Sequence, residues 1–168
     1  IDFPSLLLDY ANISQPEEFQ GESFRKNLIM ETPDQWRDKM YYRYYAHAPN
    51  RPAHLGIRTD RHKLIFYYGL SLGLNGTYTD EATPPAWEFY DLENDPMELK
   101  NQYQNPKYKT IIRQLKKDLI GLRENYGDAA TDGAEMKKVI QDNWWSQETN
   151  PIHFQLKVNG IIKKKIMG

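Results

Sequence analysis

An α+β fold is predicted, an antiparallel sheet of about four strands with a long amphipathic helix packed on one face. Three observations point to it. Four short β-forming segments crowd between residues 40 and 92, and one long stretch, 108–126, repeats its apolar residues at helical spacing. The links between the strand candidates are too short for the crossovers that a parallel sheet requires.

Taken in order, Asp2-Phe3-Pro4-Ser5-Leu6-Leu7-Leu8-Asp9-Tyr10 suits a short helix, with Asp2 or Phe3 at the cap and Pro4 in the first turn. From Ser14 to Asp34, Pro16, Pro33, Gly21 and scattered charges mark a connecting segment. Met40-Tyr41-Tyr42-Arg43-Tyr44-Tyr45 is an aromatic strand in which Tyr42 and Tyr44 share one face and Tyr41 and Tyr45 the other. After a proline-punctuated loop, His54–Thr59 and Lys63–Tyr68 read as strands joined tightly at Asp60-Arg61. The Gly/Thr/Asn-rich stretch from Gly69 to Pro85 is a long loop, and Trp87–Leu92 is the fourth strand.

Beyond Leu92 helical signals dominate. Asp95-Pro96 pairs a cap residue with proline and predicts a short helix; Asn105-Pro106 repeats the signal before the strongest helix. There Tyr108, Ile111, Ile112, Leu115, Leu119, Leu122 and Tyr126 recur every three to four residues, Gly127 follows at the stop position, and Lys116, Lys117, Asp118 and Arg123 occupy the other face. Met136–Trp145 is a further short helix. Asn159-Gly160, between Phe154–Val158 and Ile161–Ile166, is a type I′ hairpin signal.

Composition narrows the function. With 168 residues the chain has room for one core, and 22 Lys+Arg against 23 Asp+Glu excludes a basic nucleic-acid binder. No cysteine is present, which excludes a disulfide scaffold, a Cys-ligated zinc site and a thiol nucleophile. Twelve Tyr, six Phe and four Trp are the one excess, enough for a core and for some aromatic surface besides. No apolar run approaches the ~20 residues of a spanning helix, so no membrane partner is expected. The abrupt opening Ile1-Asp2-Phe3-Pro4 reads as the interior of a longer polypeptide.

Few residues carry chemistry. His47, His54 and His62 lie close in sequence, but their spacings match no compact metal-ligand pattern. Arg51, Arg58, Arg61 and Lys63 form a basic cluster that is either a solvated hairpin balanced by Glu88, Asp91 and Glu93 or a docking edge for an oxyanion. Neither a nucleophile elbow nor a phosphate-binding glycine loop is present. Asn12-Ile13-Ser14 and Asn75-Gly76-Thr77 match the N-glycosylation pattern, which matters only in a eukaryotic secretory setting.

Three segments together resemble a known family: Tyr41-Tyr42-Arg43-Tyr44-Tyr45; His54-Leu55-Gly56-Ile57-Arg58-Thr59-Asp60-Arg61-His62-Lys63-Leu64-Ile65; and Trp87-Glu88-Phe89-Tyr90-Asp91-Leu92-Glu93-Asn94-Asp95-Pro96-Met97-Glu98, with Asn101 beyond it. In this order and spacing they resemble the C-terminal subdomain of type I, formylglycine-dependent sulfatases, whose patterns run Y-G-(I/V)-R-T-x-R-Y-K-L-I and W-E-L-Y-D-L-x-x-D-P-x-E-x-x-N. Ile1–Ala11 resembles the closing helix of those enzymes' large N-terminal domain, and Gln20-Gly21-Glu22-Ser23-Phe24 the linker after it. The nearest subset is the bacterial enzymes that desulfate glycans, including mucin-desulfating and N-acetylglucosamine-6-sulfatase-like ones.

The resemblance implies a division of the chain: residues 1–36 end the N-terminal domain and link onward, 37–128 form the C-terminal α+β subdomain, and 129–168 are an extension with a short helix and β-hairpin. It implies calcium and formylglycine for the full-length enzyme and no cofactor in this chain, which lacks a C/S-x-P-x-R motif. The implied partners are the N-terminal catalytic domain and a sulfated glycan, and the implied location is periplasmic or secreted. The loop before the Y-G-I-R-T-like strand approaches substrate in the family, so His47, His54 and Arg51 are the candidate substrate-binding residues and no catalytic residue is expected here. Arg58 is expected to pair with an acid across the sheet. Two alternatives stay open at this point: a free-standing carbohydrate-binding or interaction module, and a relic without a role.

Overall fold

The structure, a computed structural model, describes residues 1–72 and 79–145. The chain folds as two compact units, Ile1–Asp38 and the remainder from Lys39. The hairpin expected around Asn159-Gly160 and the Asn75 sequon lie outside the described residues.

In the first unit, α1 spans Asp2–Tyr10 and a single turn, α2, spans Arg25–Leu28 inside the segment read as a connection. Their ties are ionic. The Asp2 carboxylate pairs with Arg37 and accepts from the Glu22 backbone N–H at 3.0 Å, while Asp9 accepts from the Ser23 hydroxyl at 2.5 Å and pairs with Arg25 at 3.2 Å. Gly21 is required because a Cβ there would lie 2.1 Å from the Ile1 carbonyl oxygen.

The second unit is a four-stranded antiparallel meander in the order β1 (Lys39–Tyr44), β2 (His54–Thr59), β3 (His62–Tyr67) and β4 (Ala86–Asp91). Against one face pack α3 (Lys109–Asn125), entered through a 3-10 turn at Pro106–Tyr108, and α4 (Ala134–Asn143). The expected fold class and all four strands are present, each within a residue of its expected limits. The register lines side chains into cross-strand rows. Tyr41, Ile57, Leu64 and Phe89 form one row on the helix side; Arg43, Leu55, Phe66 and Trp87 form the next. Ile112, Leu115 and Leu119 of α3, Met136 of α4 and Trp144 complete that core, every one at most 6% exposed.

Local chemistry fixes the helix boundaries. Asn105 accepts from the Lys107 N–H at 3.0 Å, and Gly127, at φ 69°, takes the left-handed turn that ends α3. The helix expected at Asp95-Pro96 does not form. The Asp95 carboxylate instead accepts from the Leu99 and Lys100 N–H groups, and Glu98 adopts φ 54°, so the segment closes as a turn. Asn101 then acts as a strand surrogate on the β4 edge: its amide oxygen accepts from Phe89 N–H at 3.0 Å and its NH2 donates to the Trp87 carbonyl at 3.1 Å.

Two charges assigned to the outer face of α3 are buried. Arg123 donates to Asp128 at 3.0 Å and to Asp132 at 2.7 Å, in a network where Asp128 also accepts from Tyr41 at 2.8 Å and Arg43 at 2.6 Å. Lys116, 3% exposed, enters an aromatic box: its ammonium lies 4.0 Å from the Trp87 ring centroid, donates to the Tyr103 hydroxyl at 2.7 Å and caps the Trp144 carbonyl. Burial pulls the Lys116 pKa down to about 7. An unfolded lysine titrates near 10.4, so between these values the unfolded chain holds the extra proton and stability rises with pH. The ring faces and the carbonyl favour the ammonium and moderate the effect. Urea unfolding at pH 7 and pH 9 is expected to show a gain of about 1 kcal/mol that Lys116→Met abolishes.

Candidate functional site

The strand alternation that buries one face turns a second set of rows outward. Tyr44, His54 and Tyr67 form an aromatic row, Tyr42, Gly56, Ile65 and Glu88 a central row, and Met40, Arg58, Lys63 and Tyr90 a basic row. The tyrosine faces are as the strand period requires, with Tyr42 and Tyr44 here and Tyr41 on the helix side. An open depression of about 380 Å³ is centred on these rows. Gly56 makes it possible: the Tyr42 ring lies across the bare Cα, and a Cβ would sit 2.6 Å from that ring.

His54 is held between two rings, with centroids 5.2 Å from Tyr44 and 5.1 Å from Tyr67. Its Nδ1 faces the Pro52 carbonyl at 2.8 Å, and since a carbonyl only accepts, Nδ1 carries the proton. Nε2 is thereby left as an acceptor, with no hydrogen-bond partner among the described residues. Burial lowers the pKa of His54, which keeps the imidazole neutral. The Arg51 guanidinium lies 5.5 Å from the Tyr44 centroid, and Tyr67 donates to Glu88 at 2.9 Å. The aromatic row is thus flanked by the Arg51 cation at Tyr44 and, from the central row, by the Glu88 carboxyl group, whose pKa burial raises.

His47 has a different place. It is fully buried, its Nδ1 accepts from the Ala53 N–H at 3.2 Å and its Nε2 donates to the Glu81 carbonyl at 3.0 Å. Both nitrogens are engaged inside the protein, so His47 staples the loop whose tip closes through the Ala48–Arg51 backbone pair. The structure brings Arg51 and His54 against the same Tyr44 ring, while His47 is buried in the loop. The sequence offered no means of separating the two histidines.

Arg58 departs from expectation. The residue opposite it is Lys63, not an acid, and Lys63 takes Glu98 at 2.6 Å, leaving Arg58 with no acidic partner among the described residues. Arg61 behaves as a balanced hairpin requires, gripping the buried Asp91 at 3.0 Å and also pairing with Glu93. Asp91 further accepts from Asn94 at 2.8 Å and Tyr108 at 3.0 Å, and these donors, the Arg61 guanidinium first, hold its carboxyl well below the usual range. Among the described residues no three His, Asp or Glu side chains converge to hold an ion. The sequence likewise holds no residue in a formylglycine motif.

The meander, its helix layer and the motif residues Asp91 and Asn101 at structural joints are as the resemblance to a sulfatase C-terminal subdomain implies. Residues 1–125 match the family described as N-sulphoglucosamine sulphohydrolase, C-terminal, and the chain belongs to that family. It is 32% identical over 139 residues to the N-acetylglucosamine-6-O-sulfatase of Bacteroides thetaiotaomicron, covering 80% of this chain and 23% of that protein. It is 31% identical over 137 residues to an arylsulfatase of Clostridium perfringens, covering 82% of this chain and 25% of the relative. Among solved structures it is similar, at TM-score 0.61 and 32% identity, to a protein in complex with its substrate D-glucosamine-2-N,6-O-disulfate, over 76% of this chain and 24% of the other. The chain therefore spans about a quarter of the length of the curated relatives it matches.

Two outcomes check the site geometry. Gly56→Ala is expected to cost about 1–3 kcal/mol in urea unfolding, because the new methyl meets both the Tyr42 ring and the Leu64 carbonyl. An NMR titration is expected to place the His54 midpoint below that of a free histidine, about 6.5.

Proposed function

We propose that this chain is the C-terminal subdomain of an enzyme that hydrolyses sulfate esters of a glycan, lending recognition groups to the rim of a pocket whose chemistry lies in a catalytic domain. The observation that carries the reading is the joint placement of Arg51 and His54, one an exposed cation and the other an imidazole with an unengaged Nε2, on the chain of a family defined by sulfohydrolases. A neutral Nε2 accepts from a sugar hydroxyl or amide N–H, and the guanidinium suits a sulfate oxyanion. His47 positions these two by fixing the loop.

A sulfated amino sugar is the substrate class in this reading: a relative at 32% identity is named N-acetylglucosamine-6-O-sulfatase, and a similar solved structure holds a disulfated glucosamine. Formylglycine and calcium belong in this reading to the catalytic domain, and no step is assigned to them here. Residues 1–36 close that domain and link onward, 37–128 are the subdomain proper, and 129–168 are an appended segment. Among the described residues no helix is long and apolar enough to cross a membrane, and a periplasmic or secreted location fits a glycan substrate.

The test is kinetic, on the full-length polypeptide with a 6-O-sulfated N-acetylglucosamine. His54→Ala is expected to lower kcat/KM about tenfold or more, beyond what the loss of its ring contacts does to Tm, and Arg51→Ala to raise KM with Tm unchanged. His47→Ala is expected to lower Tm as well as activity. Unchanged kcat/KM in both His54→Ala and Arg51→Ala overturns the assignment.

A further inference from the structure

The exposed side of α3 breaks the electrostatic rules that helices usually follow. Lys109, Arg113 and Lys117 stand four residues apart, exposed and on one side of the helix, rising ~6 Å from one to the next. Like charges at this spacing repel. Lys107 lies in the entry turn, Lys109 starts the helix, and no acid stands in its first turn. Cations therefore crowd the end where the backbone dipole is already positive. Neighbouring acids do not relieve them. Between Lys107 and Arg123 the sequence holds one, Asp118, which pairs with Lys39 at 3.1 Å and accepts from Gln114 at 2.8 Å. Lys138 pairs with Asp142 along α4 and Lys63 with Glu98, whereas Lys109, Arg113 and Lys117 have no acidic partner among the described residues. A local rule broken with no compensating contact in the fold is expected at functional sites.

We propose that Lys109, Arg113 and Lys117 form a tether for a sulfated polysaccharide, holding one stretch of the polymer on α3 while another is worked on elsewhere. This rests on the sulfatase reading and adds to it a second contact, for the polymer rather than for the reacting sugar. Charge complementarity selects the occupant. That reading gives the enzyme a sulfated glycan, a guanidinium and two ammonium groups suit sulfate oxyanions, and three cations in line suit a repeat of them. The tether is separate from the rim. With Ile112, Leu115 and Leu119, α3 packs on one face of the sheet, and the His54 row lies on the other, so a single sugar cannot touch both.

The probe is heparin, a glucosamine polymer carrying N- and O-sulfates, titrated into the full-length polypeptide by calorimetry at several salt concentrations. A variant combining Lys109→Gln, Arg113→Gln and Lys117→Gln is expected to bind it about tenfold or more weakly. The slope of log affinity against log salt is expected to shrink by about 2–3, close to one for each cation removed. Tm and kcat/KM on a single 6-O-sulfated N-acetylglucosamine are expected to stay unchanged. Equal heparin affinity in the variant, or no binding by the unsubstituted polypeptide, overturns the tether and leaves the sulfatase reading standing. Heparin binding that depends on these three residues in a polypeptide without sulfatase activity upholds the tether and removes that reading. A matching fall in turnover of the single sugar overturns the tether in favour of a place in the rim. Duplex DNA bound as tightly as heparin, and weakened as much by the three substitutions, overturns it in favour of a nucleic-acid surface.

Discussion

A sheet has two faces, and this chain supplies helices for one of them. That constraint organises the rest. Rows of Ile57, Leu64 and Phe89 and of Leu55, Phe66 and Trp87 are dehydrated by α3 and α4, and burial of this apolar area is the main source of the unit's stability. The intervening rows cannot also be apolar without leaving a broad exposed patch, so they carry tyrosine, histidine and paired charges. Arg51, His54 and Arg58 all stand on or beside that second face.

Polar groups inside the helix side are handled by closing networks rather than by exclusion. Asp128 collects Tyr41, Arg43 and Arg123, and Asp91 collects Arg61, Asn94 and Tyr108. Such networks tie the end of α3 to β1 and the turn after β4 to the entry of α3. Removing one member leaves buried charge without a partner, which costs more than the pairing itself contributes. The Asp128 network holds β1 beside the loop end where His54 and Arg51 sit, and the Asp91 network closes the opposite end of the sheet at the β2–β3 turn.

Strands and helices are legible in the residues because alternation and three-to-four spacing are local, and β2 can be read to the residue. Lys116 and Arg123 cannot, since a helical period assigns charge to the outside and only distant partners reverse that: the Trp87–Tyr103 box in one case, Asp128 and Asp132 in the other. The Asp95-Pro96 pair signals a cap truly, but what it caps is a turn, because Glu98 leaves the helical region. His47 and His54 look alike in a proline-rich loop. Their roles separate through the Ala53 N–H and the Glu81 and Pro52 carbonyls, contacts that depend on where the loop folds.

In the proposed division of labour this chain presents recognition groups, without a nucleophile or an ion site of its own among the described residues, and an attached domain performs the chemistry. Sulfate release is the direct measure. Incubated with a sulfated N-acetylglucosamine, the 168-residue chain alone is expected to release no sulfate above buffer, while the full-length polypeptide turns the same substrate over. Sulfate release by the isolated chain would refute that division.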